Sequence, residues 1–183
     1  MNLNIEKIKE IRDEEFEKLR KTEIIAGDEK GNMTIKDRRF NAMGGDYFMG
    51  DFLKLLEETV GPAAGGILYN SGIEIGKSYF KIYVKKEKNN KEEIIGRVFG
   101  LLKFCGYSNI NFSEKGTIIV KNSPTAVAFN KKHKEKVKTC YYLAGIFAGL
   151  LSKIFEKEIN VEEIKCQGKG DTYCEFEIKN DLK

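Results

Sequence analysis

The chain has 183 residues, 41% of them hydrophobic and 33% charged, and only two prolines. That length suits one domain with a real apolar core, and the composition excludes a disordered, collagen-like or proline-rich chain. Thirty-two Lys and Arg against 28 Asp and Glu leave a net charge of +4 with the signs interspersed, which does not ask for a nucleic-acid partner.

Apolar residues at Ile5, Ile8, Ile11, Phe16 and Leu19 have helical spacing and predict a helix over 5–20 with Asn4 as its N-cap. Gly27 and Gly31 punctuate, residues 33–40 alternate as one strand, and 42–50 reads as a loop into a helix over 51–60 that Gly61-Pro62 ends. Residues 63–85 carry Ile67, Leu68, Ile73, Ile75, Phe80, Ile82 and Val84 between glycines 65, 66, 72 and 76. They read as a glycine-notched helix, followed by a second helix over 91–104. A glycine costs a helix about 1 kcal/mol relative to alanine, so these glycines mark a close approach of backbone or ligand.

Ile110 and Phe112, then Ile118 and Val120, alternate on either side of Ser113-Glu114-Lys115-Gly116 and predict a hairpin over 107–120. A short strand is expected at 126–129, a long helix over 135–155, and a closing hairpin over 161–178 that turns near Gly168-Lys169-Gly170-Asp171. No repeat or linker divides the chain. The expected fold class is α+β, a single domain with an antiparallel sheet packed with several helices.

The longest apolar run, 141–151, is about half of the roughly 20 residues a membrane span requires. Residues 1–21 mix Glu, Lys and Ile without the apolar stretch of a signal peptide, so a cytoplasmic location without a membrane span is expected. Ser71-Gly72-Ile73-Glu74-Ile75-Gly76-Lys77-Ser78 approaches a phosphate-binding loop, but Ser71 stands where that motif needs glycine and no buried strand feeds it. It reads as helix with Gly72 and Gly76 on one face. His133 is the only histidine and lies in the basic run 131–138, which reads as a solvated helix start without the aromatic platform a nucleic-acid site would add. No catalytic residues are assigned.

The cysteines say more. Cys105 reads as a buried helix-end residue, leaving Cys140, Cys166 and Cys174. If Gly168 and Thr172 pair across the closing turn, Cys166 and Cys174 face each other on one side of the hairpin, with Cβ atoms roughly 5 Å apart. Such a pair is open to three readings: neighbouring core thiols, a disulfide under oxidation, or two ligands of a tetrahedral zinc ion. Glu163 is a nearby carboxylate, but residues three apart in a regular strand point to opposite faces. A bulge or bend between Glu163 and Cys166 is therefore required if both are to serve one site.

The segment from Cys140 through Gly145 and Gly149, followed by Glu163-Ile-Lys-Cys166 and Gly170-Asp171-Thr-Tyr-Cys174-Glu-Phe176, resembles the end of 4-vinyl reductase domains, a family of small-molecule-binding domains. Leu68-Tyr69-Asn70-Ser71-Gly72 matches that family's leucine-tyrosine-x-x-glycine helix. The resemblance is good over 63–179 and loose over 1–62, which gives a 4-vinyl reductase-like core and an N-terminal extension of helix, strand and helix. It implies a fold like that of transport-protein-particle subunits. It also implies a structural zinc ion held by Cys140, Glu163, Cys166 and Cys174, a pattern shared with aromatic-responsive activator sensors.

The resemblance further implies a small hydrophobic ligand, a homodimer and a separate regulatory protein. The histidine and tryptophan that phenol-type sensors use are not carried over, since there is no Trp and His133 lies in the basic run. An apolar pocket is expected between the 63–85 and 140–155 helices. Gly72, Gly145 and Gly149 would make room there, with Tyr69, Tyr141, Tyr142 and Phe147 as walls. A role in vinyl-group reduction of a tetrapyrrole and a ligand-free interaction scaffold are the alternatives.

Overall fold

The computed structural model describes residues 3–21, 33–35, 38–40, 45–84 and 90–179, with the backbone alone at 33–35, 38–40 and 45–49. Helix α1 (Ile5–Arg20) is followed by strands β1 (Met33–Ile35) and β2 (Arg38–Phe40), which pair antiparallel. Three helices come next: α2 (Gly45–Val60), α3 (Ala63–Tyr83) and α4 (Lys91–Phe104). Strands β3 (Asn109–Phe112) and β4 (Ile118–Lys121) precede α5 (Pro124–Lys132) and α6 (Tyr141–Phe155). The chain closes with β5 (Asn160–Lys165), a 3₁₀ turn (Gln167–Lys169) and β6 (Cys174–Lys179). Four strands form an antiparallel sheet in the order β3-β4-β6-β5. This is an α+β domain, and no described helix is long and apolar enough to cross a membrane.

Local chemistry sets the helix starts. The Asn4 side chain accepts from the Lys7 N–H and the Asn90 side chain from the Glu92 N–H, each supplying a partner that the first turn lacks. The main core gathers α1, α4, α6 and the sheet around fully buried Phe99, Phe147 and Phe176. Phe147 packs edge-on against both of the others, with ring centroids 5.8 Å and 5.2 Å away. Arg12 covers the outer edge of β3, where its Nη1 donates to the Ile110 carbonyl at 3.0 Å and also contacts Asn111.

Two helix crossings are set by glycine. A Cβ on Gly96 or Gly100 of α4 would press on the α1 carbonyls of Ile8 and Arg12. At the α3–α6 crossing the contact is closer still. A Cβ on Gly72 would overlap the Tyr142 carbonyl oxygen, one on Gly145 the Tyr69 carbonyl oxygen, and one on Gly149 the Ile73 carbonyl oxygen. The two backbones touch along parallel helices, as small-residue stripes permit.

Five expectations are corrected. The single strand over 33–40 is two short strands, and α2 begins at Gly45, inside the expected loop. Residues 126–129 are helical, because Ser123-Pro124 starts a helix whose Thr125, Ala126, Ala128 and Phe129 all turn inward. The helix expected from 135 begins only at Tyr141, since residues 134–140 run extended across the 3₁₀ turn. Cys105 does end α4, but it is exposed there instead of buried. The expectations at Gly27, Gly31, 42–44 and Lys85 lie outside the described residues.

Candidate metal centre

Four segments converge on one buried point. Cys140 is the residue before α6, Glu163 lies on β5, Cys166 opens the 3₁₀ turn, and Cys174 begins β6. Their ligand atoms all lie within 4.8 Å of one another, and each residue is at most 4% exposed. The sheet register explains how Glu163 joins. Glu163 pairs with Phe176 while Lys165 pairs with Glu175, so the register shifts between them and turns Glu163 toward the cysteines.

The turn itself is tightly built. Gly170 has φ +104°, a left-handed conformation that suits glycine, and this lets the Asp171 carboxylate accept from the Cys166 N–H at 2.8 Å. Gly168 lies directly beneath the extended 134–140 segment, where a Cβ would meet the Val137 carbonyl oxygen at 2.6 Å.

Hydrogen-bond donors surround the four groups. Cys166 Sγ receives the Gly168 N–H at 3.3 Å and the Thr139 N–H at 3.4 Å, with Thr139 Oγ1 also 3.4 Å away. The Gln167 N–H reaches Cys174 Sγ at 3.3 Å, and Ser123 Oγ lies 3.1 Å from Cys140 Sγ. The Cys140 N–H donates to Glu163 Oε2 at 3.3 Å, whereas Glu163 Oε1 is buried with no hydrogen-bond partner. None of the described ion pairs includes Glu163.

The electrostatics follow from this crowding. Burial and the adjacent Cys166 sulfur push the Glu163 carboxyl up to about 8. Cys166 is drawn toward the thiolate by the S–H groups of Cys140 and Cys174, and donation to that sulfur raises Cys140. Four acidic groups thus compete for one buried volume, with no cationic side chain bonded to them among the described residues. A divalent cation resolves that arrangement.

The residues fit zinc on three counts. Cys140 Sγ and Cys174 Sγ are 3.6 Å apart, beyond a disulfide bond and close to the ~3.8 Å that tetrahedral zinc–thiolate bonds of about 2.3 Å imply. Three sulfurs and one oxygen form a soft donor set. The orphaned Glu163 Oε1 supplies an oxygen that otherwise has no partner.

A family model for the vinyl-4-reductase (4-vinyl reductase) domain matches residues 117–180, from β4 through both sides of this cluster to the end of β6. The chain is also 31% identical over 179 residues to uncharacterized protein MJ0855 of Methanocaldococcus jannaschii, an alignment covering 96% of this chain and 69% of the relative. The chain belongs to the vinyl-4-reductase domain family. Its fold matches the phenol-responsive sensory domain of the transcription activator PoxR, solved with phenol. The TM-score is 0.75 at 16% identity, covering 91% of this chain and 89% of that one. A vinyl-4-reductase family protein from Methanocaldococcus jannaschii matches with a TM-score of 0.52 at 21% identity, over 98% and 96% of the two chains.

In this vinyl-4-reductase domain the residues expected to form an apolar pocket do not enclose one at the α3–α6 crossing. Gly72, Gly145 and Gly149 bring backbone onto backbone and leave no space between the helices. Phe147 is fully buried in the aromatic core. The half-buried Tyr69 has its hydroxyl occupied by the Val161 N–H at 3.0 Å, Tyr141 lies over Gly65, and Tyr142 packs between the two core clusters. The 71–78 segment is uninterrupted helix, with Ser71 and Ser78 bonded to carbonyls one turn back. His133 ends α5, packed on Phe129 at 4.7 Å and 3.8 Å from Asp51.

Sequence reasoning did not reach Ser123, Thr139 or the N–H groups of Gln167 and Gly168. Thr139 is recognisable only as the neighbour of Cys140. Ser123 lies 17 positions from the sulfur it contacts and carries no pattern of its own.

Proposed function

We propose that this vinyl-4-reductase domain is a zinc-stabilised module that binds a small hydrophobic molecule and signals through a separate regulatory protein. The observation that carries the zinc reading is the closed set of Cys140, Glu163, Cys166 and Cys174 around an unpartnered carboxylate oxygen. Four protein donors complete a tetrahedral shell and leave no position for an activated water, so the ion's role is structural. It ties the start of α6 to the closing hairpin.

The fold shared with a phenol-responsive sensory domain supports the ligand-binding reading. With the α3–α6 crossing shut at its glycines, the ligand lies beside it. A groove of about 560 Å³ runs along Ile73, Ser152 and Ile159, rimmed by Lys77, Lys153, Lys157, Glu156 and Glu158. That volume suits a small organic molecule, and the lining suits an apolar body with a polar end. In a cytoplasmic setting the three thiols stay reduced and free to bind metal. The homodimer belongs to the same proposal, since Phe52 and Leu55 on α2 and Ile67 on α3 remain exposed on each copy.

Native mass spectrometry of the protein purified from its source tests these points together. The expected result is one zinc per chain, a dimer mass, and an organic adduct lost on denaturation. Zinc without an adduct rejects the ligand. A bare mass that added zinc does not change rejects the metal site.

A further inference from the structure

The four donors carry more negative charge than a divalent cation cancels. Three thiolates and one carboxylate around a doubly charged ion leave two formal negative charges in a buried place. The described contacts of these four groups are with N–H, O–H and S–H groups, so the balance comes from dipoles. When every sulfur is bound as thiolate, none can donate, and the hydroxyls beside them must be the donors.

Thr139 is placed for this twice over. Its N–H and Oγ1 both reach Cys166 Sγ at 3.4 Å, and its hydroxyl lies 3.6 Å from Cys140 Sγ. Thr139 is 1% exposed, as is Ser123, whose hydroxyl is 3.1 Å from Cys140 Sγ. Both are held in position by neighbours. The Thr139 methyl abuts Gly168, and the Ser123 N–H donates to Gln167 Oε1 at 2.9 Å.

We infer that Thr139 and Ser123 are positioning residues of the metal centre, whose hydroxyls donate to Cys166 and Cys140 and so set how tightly the ion is held. This rests on the zinc reading proposed above. Loss of such an outer hydrogen bond typically weakens metal affinity by about 10–100-fold.

The experiment is zinc transfer from the intact chain to a chromophoric chelator, paired with the thiolate-to-metal charge-transfer band of the cobalt(II)-loaded protein. Thr139→Val keeps the shape and removes the hydroxyl. Zinc affinity should fall about 10-fold and the band should move to longer wavelength, because the sulfur lone pairs lose a donor. Thr139→Ser restores a hydroxyl and should return both readouts close to wild type. Ser123→Ala should change both in the same direction by a smaller factor, and it serves as the test if Thr139→Val does not fold. Wild-type protein that binds zinc and cobalt, with unchanged affinity and band in Thr139→Val and Ser123→Ala, overturns this inference alone. Wild-type protein that binds neither metal overturns the zinc reading and this inference with it.

Discussion

Around Phe147 the chain is held by apolar area, and around Cys166 by directed polar contacts. Phe147, Phe99 and Phe176 sit in a cluster that also includes Ile8, Leu102, Ile118 and Leu150, drawn from α1, α4, α6 and the sheet. Full burial of each such side chain contributes about 1.5–3 kcal/mol, so many independent contributions protect that region. The corner made by α2 and α5 has a separate cluster of only Leu53, Leu68 and Phe129, with half-buried Leu56, Val137, Tyr141 and Tyr142 around it. Its links to the metal centre are Ser123 to Cys140, the Ser123 N–H to Gln167, and the Asn130 amide to the Gln167 carbonyl at 2.8 Å. The first region stands on its own packing. The second depends on a junction where four buried donors meet.

Replacing one residue on each side separates the two. Phe147→Ala removes the ring between two others and should cost about 3–5 kcal/mol in denaturant unfolding. The folded fraction should still bind zinc, because no ligand moves. Cys166→Ser should abolish zinc binding and lower the melting midpoint by about 10 °C, since site formation and folding are linked. In hydrogen exchange the loss should concentrate in 123–140 and 50–60, with α4 and β3–β4 protected as before. Uniform deprotection in Cys166→Ser would remove the distinction between the regions.

The same contrast decides what was legible in the sequence. The closing hairpin placed Cys166 and Cys174 side by side on spacing alone, and the need to bring Glu163 to them called for the irregularity found between Glu163 and Lys165. Alternating apolar residues likewise marked β3 and β4. The α2–α5 corner was harder. Residues 126–129 form a short apolar run that fits strand or helix equally, and only the proline at the first helical position of α5 separates them. Residues 134–140 have helical composition yet run extended, and the N–H groups of Thr139 and Cys140 go to Cys166 and Glu163 instead of to a preceding turn. The glycines of α3 and α6 were visible as close-approach positions, but what approaches them is backbone. A sequence does not distinguish a carbonyl from a ligand at such a notch.

Two glycines make this last point measurable. Gly66 lies on the exposed side of α3 with nothing within 4 Å of an added Cβ, so Gly66→Ala should stabilise by about 0.5–1 kcal/mol through helix propensity. Gly145→Ala introduces the same methyl against the Tyr69 carbonyl and should instead destabilise by about 3 kcal/mol. Denaturant midpoints of the two variants check the pair. If Gly145→Ala were neutral, the crossing would have spare room and the ligand could lie there after all.

The smallest effect is expected one residue from the metal centre. Glu175 follows Cys174 on β6, where it pairs with Lys165 at 2.8 Å and accepts from the Thr117 hydroxyl at 2.8 Å. The Lys165 ammonium, then the Thr117 hydroxyl, hold its carboxyl below the usual glutamate range. A depressed acid stabilises the fold above the pKa of the unfolded chain and loses that contribution as the pH falls through the folded value. Glu175→Gln should therefore be slightly less stable than wild type at neutral pH, with the two curves converging as the solution is acidified below about pH 4.5. The difference should shrink in high salt, as for any pair open to solvent. Zinc content should not change, because Glu175 faces Lys165 and Thr117 while Cys174 carries the metal-binding sulfur. A loss of zinc in Glu175→Gln would mean that this ion pair holds the hairpin closed for the metal, and the junction would then extend beyond its four donors.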